Sequence, residues 1–264
     1  MSRILLLLLS LAIGLPAAAD SCADGGATLM ITYQTSPANR LAFRREMAEK
    51  GLARLQEWKE QGVLQAYRVL ANRYVETGGW DVMALLRFST RTDLERWKAV
   101  EQIAPAGLGD SLLAQATTIS SVPADMIRQD AAAEPAAPGK SVFLVIPYQY
   151  LVPVRDYETY LDGYTLPQLK GWIGERVLSG YGVYLSRYPA GRPWNAMLLL
   201  EYRDDKSLAT RDEVVARVRS RLKQDPDWSA WADNKKAIRS EGIAVVADDL
   251  VRATQPGKAA GACY

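Results

Sequence analysis

The chain has 264 residues, 48% of them hydrophobic, and a net charge of +2 with both signs interspersed. That length supports one large domain or two small ones, and the even charge leaves no basic stripe of the kind that holds nucleic acid. Histidine is absent, which removes the side chain most used for acid–base work near neutral pH and the commonest zinc and haem ligand.

The N-terminus reads Met1-Ser-Arg, then an apolar run from Ile4 to Leu15, then Pro16-Ala-Ala-Ala19. A short basic region, an apolar core and an Ala17-x-Ala19 site describe a secretory signal peptide over residues 1–19. The run falls short of the roughly 20 residues that span a bilayer. A periplasmic or secreted protein is therefore expected, with no membrane contact after cleavage. Cys22 and Cys263 sit near the two ends of the mature chain. In an oxidising space they are expected to pair as a disulfide. With both thiols at the termini and no histidine, no Cys/His metal cluster can form; no metal and no other cofactor is expected.

Ala27 to Tyr33 is a β-rich apolar run and predicts a strand. Ser36-Pro37 then opens a helix whose Leu41, Ala48, Leu52, Leu55 and Trp58 share one face, and Gly62 closes it. Two strands are predicted next, Val63 to Tyr74 and Trp80 to Phe88, around the turn Thr77-Gly78-Gly79. Thr92-x-x-Glu95 has the pattern of a capping box for a second helix, which Pro105 to Gly109 ends. A last strand falls within Ala116 to Val122. The order is βαββαβ, the split βαβ or ferredoxin-like unit.

Residues 129–139 read as an Ala/Pro-rich linker, after which the pattern restarts. From Leu52 to Leu86 and from Leu166 to Leu200 the chain repeats itself at a shift of 114 residues, without a gap. The identities include Trp58/Trp172, Tyr67/Tyr181, Arg73/Arg187, Tyr74/Tyr188, Trp80/Trp194 and Met83/Met197. Tyr148-Gln149 echoes Tyr33-Gln34. The second helix region, from Val154 to Glu175, is interrupted by Gly163 and Pro167, which predicts a kink or two short helices. Another helical stretch, from about Arg211 to Arg239, is divided at Asp225-Pro226. Val246, Asp249 and Arg252 close the unit and match Val122, Asp125 and Arg128 at a shift of 124. The expected organisation is a signal peptide (1–19), a ferredoxin-like domain (20–128), the linker (129–139), a second ferredoxin-like domain (140–253) and a tail (254–264).

Val82 to Leu86 and Ala196 to Leu200 do not alternate in polarity, so both faces of those strands should be buried. In this the chain resembles the dimeric α+β barrel superfamily, in which two ferredoxin-like units pair sheet to sheet. The resemblance implies an α+β fold of two tandem βαββαβ units packed sheet to sheet as an intramolecular barrel, and a monomer. The superfamily includes haem enzymes, cofactor-free monooxygenases and small-molecule isomerases, and members that depend on histidine are excluded by this composition.

No nucleophile motif, phosphate loop or metal-spaced cluster is present. Nine of the thirteen tyrosines lie between Tyr148 and Tyr202. Tyr157, Tyr160 and Tyr164 recur at helical spacing, either as a pocket wall with hydrogen-bonding tips or as a half-exposed amphipathic face. Arg73 and Arg187 end equivalent strands, and either anchor an anion at a pocket mouth or pair with surface carboxylates. Both copies keep what holds the fold, so a site is sought where they differ. With a broken helix leaving space, Tyr157, Tyr160, Tyr164, Trp172, Tyr181 and Arg187 are the candidate ligand residues, for a small anionic or aromatic ligand. A non-catalytic module binding such a molecule, or a periplasmic protein, is the main expectation. The alternative is a histidine-independent, cofactor-free enzyme, monooxygenase- or isomerase-like, that uses Tyr and Arg of the second half.

Overall fold

In the computed structural model, which describes residues 26–250, strands and helices alternate in two successive sets. The first set begins with β1 (Ala27–Thr35), followed by α1 (Arg40–Glu46), a π-helical turn (Met47–Gly51) and α2 (Leu52–Glu60). Strands β2 (Ala66–Asn72) and β3 (Val82–Phe88), helix α3 (Arg91–Ile103), a 3₁₀ turn (Pro105–Gly107), α4 (Asp110–Gln115) and β4 (Ala116–Ala131) complete it. The second set runs β5 (Val142–Tyr150), α5 (Val154–Tyr160), a π-helical turn (Leu161–Thr165), α6 (Leu166–Gly174), β6 (Leu178–Ser186) and β7 (Ala196–Tyr202). After it come α7 (Asp205–Ala209), α8 (Arg211–Leu222), α9 (Pro226–Ile238), β8 (Arg239–Glu241) and β9 (Val245–Asp249).

The strands form one sheet in the order β7-β6-β4-β1-β3-β2-β9-β5-β8, and β5 also pairs with β7. That extra pairing closes the strands from β7 round to β5 into an antiparallel barrel, and the short β8 hangs on β5 alone. The seams between the sets are hydrogen-bonded ladders, β2 with β9 and β4 with β6. The two sets therefore join edge to edge as well as facing each other across the lumen.

Alternation along each strand separates three cores. On β1, Leu29, Ile31 and Tyr33 face α1–α3 while Met30 faces the lumen; on β7, Leu198, Leu200 and Tyr202 face α5, α6 and α8 while Met197 and Leu199 face the lumen. The lumen is filled by Met30, Leu70, Met83, Leu85, Phe143, Val145, Tyr184, Trp194, Met197 and Leu199 among others. Both faces of β3 and β7 are buried for that reason, as their unbroken apolar runs require.

Four local expectations are corrected. The helix that follows β1 starts at Arg40, not at Pro37, because Ser36 to Asn39 closes as a turn in which the amides of Asn39 and Arg40 donate to the Ser36 carbonyl. Helix α3 is capped two residues earlier than the box suggested: Thr90 Oγ1 accepts from the Asp93 amide at 3.1 Å. The expected linker begins inside a strand, since Gln129, Asp130 and Ala131 pair with Gly182, Tyr181 and Gly180. The last strands match at a shift of 123, not 124: Ala124 stands opposite Thr28 where Ala247 stands opposite Phe143.

The fifth correction bears on the site. Neither Gly163 nor Pro167 breaks the helix of the second set, which continues from α5 into α6 through the π turn. The first set carries a π turn at the matched residues Met47–Gly51, where no proline follows. Proline is thus not its cause, and the two helices are alike. Gly163 answers a packing demand instead: a Cβ there would lie 2.5 Å from Nε1 of Trp231 on α9.

Candidate functional site

The tyrosine-rich helix face of the second set is buried. Tyr157, Tyr160 and Tyr164 are each 2% exposed or less, and their rings run as a ladder from Tyr150 to Trp228 with centroids 5.0–6.1 Å apart. Trp231 closes edge-on to Tyr160 at 6.0 Å. Helix α9 supplies both tryptophans, and its N-cap Asp225 fixes the start of that helix by accepting from the amides of Asp227 and Trp228. Trp228 and Trp231 thus pack on the first helix of their set.

Between this helix and the outer face of the barrel lies a narrow cleft, with room for about one water molecule, lined by Tyr148, Tyr157, Leu161, Thr165, Val183, Leu198 and Arg239. Tyr148 comes from β5, Val183 from β6, Leu198 from β7 and Arg239 from the short strand β8. Strand β8 is placed by three residue pairs with β5, among them Tyr150 with Arg239 and Tyr148 with Glu241. This register lays the Arg239 guanidinium 4.0 Å over the Tyr148 ring. Its Nε donates to the Tyr160 hydroxyl at 3.0 Å and its Nη1 pairs with Glu241 at 3.2 Å.

Burial raises the phenol pKa of Tyr148, and Arg239 offsets only part of that rise; burial does the same at Tyr157. Both phenols stay protonated at any physiological pH and act as donors. Burial works against the charge of Arg239, but Tyr148, Tyr160 and Glu241 outweigh it. Among the described residues neither the Tyr148 nor the Tyr157 hydroxyl has a hydrogen-bond partner. Two O–H donors and one cation in an apolar surround can hold an oxyanion.

The six candidate residues separate in space. Tyr157 lines the cleft, and Tyr160 borders it through Arg239. Tyr164 is stacked on Trp228, and Trp172 is core. Tyr181 lies near Arg128 and Asp162, with its pKa pushed up to about 12, first by burial and then by Asp130. Arg187 is directed to the β4–β6 seam, where Nη2 and Nε meet Asp125 Oδ1 at 2.6 and 3.0 Å. Arg73 does the same at the other seam, with Nη2 2.5 Å and Nε 3.1 Å from the Asp248 carboxylate. Of the acids, Asp162 and Glu158 pair with Arg128, and Glu175 pairs with Arg217 and Arg221. Glu201, 5% exposed, lies 3.3 Å from Arg68, which also approaches Asp249 at 3.6 Å and sits 4.8 Å over Phe143 of the lumen. Among the described residues no carboxylate lines the cleft.

Sequence reasoning missed Tyr148 and Arg239. The echo of Tyr33 in Tyr148 was a usable signal. Arg239 gave none, because its place depends on the register of a three-residue strand.

Neither a family model nor a curated protein matches the sequence. Solved structures do match the fold. A proposed monooxygenase from Lactobacillus acidophilus NCFM is 10% identical over 86% of this chain and 95% of its own, with a TM-score of 0.54. An anthrone oxidase-like protein is 11% identical over 85% and 90%, with a TM-score of 0.55. A chlorite dismutase from Candidatus Nitrospira defluvii is 10% identical over 85% and 90%, with a TM-score of 0.52. What they share with this chain is the fold, the closed antiparallel α+β barrel that the resemblance to the dimeric α+β barrel superfamily implied. Haem, which some of that superfamily carry, does not fit the residues present. There is no histidine to ligate it, burial holds the two cleft phenols protonated, and stacked aromatics fill the space between helix and sheet.

Proposed function

We propose that this chain is a histidine-independent, cofactor-free enzyme, monooxygenase- or isomerase-like, that stabilises a developing oxyanion in a small substrate. The observation that carries this reading is the convergence of Arg239 and the Tyr148 and Tyr157 hydroxyls, unpartnered among the described residues, on one cleft. Preorganised donors of this kind act where charge appears in the transition state, and removing one costs about 10²–10³ in rate. The names of the structural neighbours support an enzyme over a passive module. The absence of a carboxylate from the cleft wall favours a second reading, a non-catalytic small-molecule binder. Oxygen uptake and product analysis with a panel of enolisable ketones and hydroquinones separates the two. Turnover should fall about 100-fold in Arg239→Gln, on the same scale. Turnover that is indifferent to both Arg239→Gln and Tyr157→Phe would overturn the assignment.

The same proposal extends to organisation and place. The two sets are fused ferredoxin-like copies, supported by the gapless repeat and by the like strand order β4-β1-β3-β2 and β9-β5-β7-β6. Export to the periplasm or beyond, through residues 1–19, and the Cys22–Cys263 disulfide rest on the sequence; both fall outside the described residues.

A further inference from the structure

The two sets fill the space beside their matched tyrosines in different ways. Tyr33 and Tyr148 hold the same register, opposite Val82 and Ala196. In the first set the Tyr33 hydroxyl donates at 2.7 Å to the Ala106 carbonyl, and the Phe43 ring lies beside Tyr33 with centroids 5.8 Å apart. Ala106 is buried and held at φ 53°, a left-handed conformation costly for alanine, with its amide donating to Glu101 at 2.8 Å. One acceptor oxygen, fixed by a turn of the chain, therefore stands before the first set's phenol.

In the second set, among the described residues, nothing accepts from Tyr148. Phe43 is matched by Tyr157, which adds a second hydroxyl. Ala116, opposite Thr35, is matched by Arg239, opposite Tyr150, which adds a cation. An acceptor has gone and two donors have come, around a space that holds about one water molecule and opens to solvent on one side. Among the described residues Arg239 is the one ionised group on its wall, and the Glu241 that pairs with it is half exposed. Leu161, Val183 and Leu198 complete the wall without a polar atom on their side chains. What these surroundings call for is a single atom that only accepts. We infer that the cleft takes one monatomic anion, chloride, held by the Tyr148 and Tyr157 hydroxyls with Arg239 as counter-charge. Carboxylates and sulfate carry the charge but exceed the space. Water has the size, but it draws far less from the guanidinium than a full negative charge does.

Binding of chloride stands apart from the catalytic reading of the cleft; inhibition by chloride rests on that reading, since the ion takes the place given there to the oxyanion. The NMR line width of chloride, measured with the intact protein in sodium sulfate at constant ionic strength, should show a saturable broadening that benzoate does not displace. Tyr148→Phe, which removes one hydroxyl and no packing, should weaken chloride by about tenfold, the scale of a hydrogen bond to a charged group. Arg239→Gln should abolish the saturable broadening, and Tyr33→Phe should leave it unchanged. Broadening that does not saturate, that benzoate removes, or that a folded Tyr148→Phe keeps in full would each overturn the inference and leave the cleft to water. In the oxygen-uptake assay chloride should raise KM and leave kcat unchanged. Saturable chloride binding without turnover of any compound would keep this inference and defeat the enzyme reading. Turnover that depends on Arg239, in a protein with no saturable chloride, would do the reverse.

Discussion

At the scale of single residues, small side chains mark where elements meet closely. Gly163 lets Trp231 approach the π turn, and Gly171 lets Val218 of α8 approach α6, a Cβ on either meeting the neighbour at 2.5 Å. Both neighbours are ring or branched atoms held in a core, so they cannot swing aside. Gly163→Ala should cost about 1–3 kcal/mol, the usual price of overpacking. A urea melt checks this, and an unchanged midpoint would show that α9 can shift to accept the methyl group. Gly174 makes the control, because nothing lies within 4 Å of its Cβ position.

At the scale of elements, each seam of the barrel is clasped by an arginine from the end of a strand. Arg187 reaches from β6 to Asp125 on β4, and Arg73 from β2 to Asp248 on β9. These are partly buried pairs with two nitrogens engaged, so they count for more than an exposed bridge. Arg187→Met and Arg73→Met should each lower stability by about 1–2 kcal/mol and leave turnover intact. Equilibrium unfolding and the oxygen-uptake assay on the same samples test both halves of that statement. Loss of turnover in Arg187→Met alone would restore that residue to the site.

At the scale of the whole molecule, buried tyrosines tie stability to alkaline pH. The phenol pKa values of Tyr184 and Tyr202 are pushed up to about 12, burial being the leading cause in both and nearby arginines opposing it. Unfolded tyrosine ionises near pH 10. The folded pKa is the higher one, so the contribution is whole below pH 10 and is lost as pH rises from there toward 12. Each phenol accounts for up to about 2–3 kcal/mol of that loss. Stability measured from pH 8 to 12 should be flat and then fall, and the fall should be smaller in Tyr184→Phe; a level profile beyond pH 11 would contradict it. A second whole-chain expectation concerns the ends. Protein recovered from an oxidising compartment should be monomeric on sizing, and its intact mass should rise by two hydrogens on reduction as Cys22 and Cys263 separate. Closing so long a loop stabilises by about 4–5 kcal/mol in the chain-entropy model. Free thiols in that material would end the idea.

The sequence by itself determined the elements and their order, because hydrophobic periodicity is local and was written twice. Leu52, Leu55 and Trp58 at helical spacing, and the unbroken apolar runs of β3 and β7, stated which faces would be buried. The resemblance drawn from them reached the barrel. The excess of tyrosines and an expected break in the helix directed attention to the second half, but that break does not exist: a π turn, present in both sets, absorbs what Gly163 and Pro167 seemed to interrupt. Only the tertiary structure decided which donors converge. Tyr148 and Arg239 are far apart in the chain and meet through a three-residue strand, while Arg187 is drawn off by Asp125 across a seam. Those outcomes depend on strand register and on which carboxylate a long side chain meets first. Both are fixed by contacts between distant residues, which no local pattern encodes.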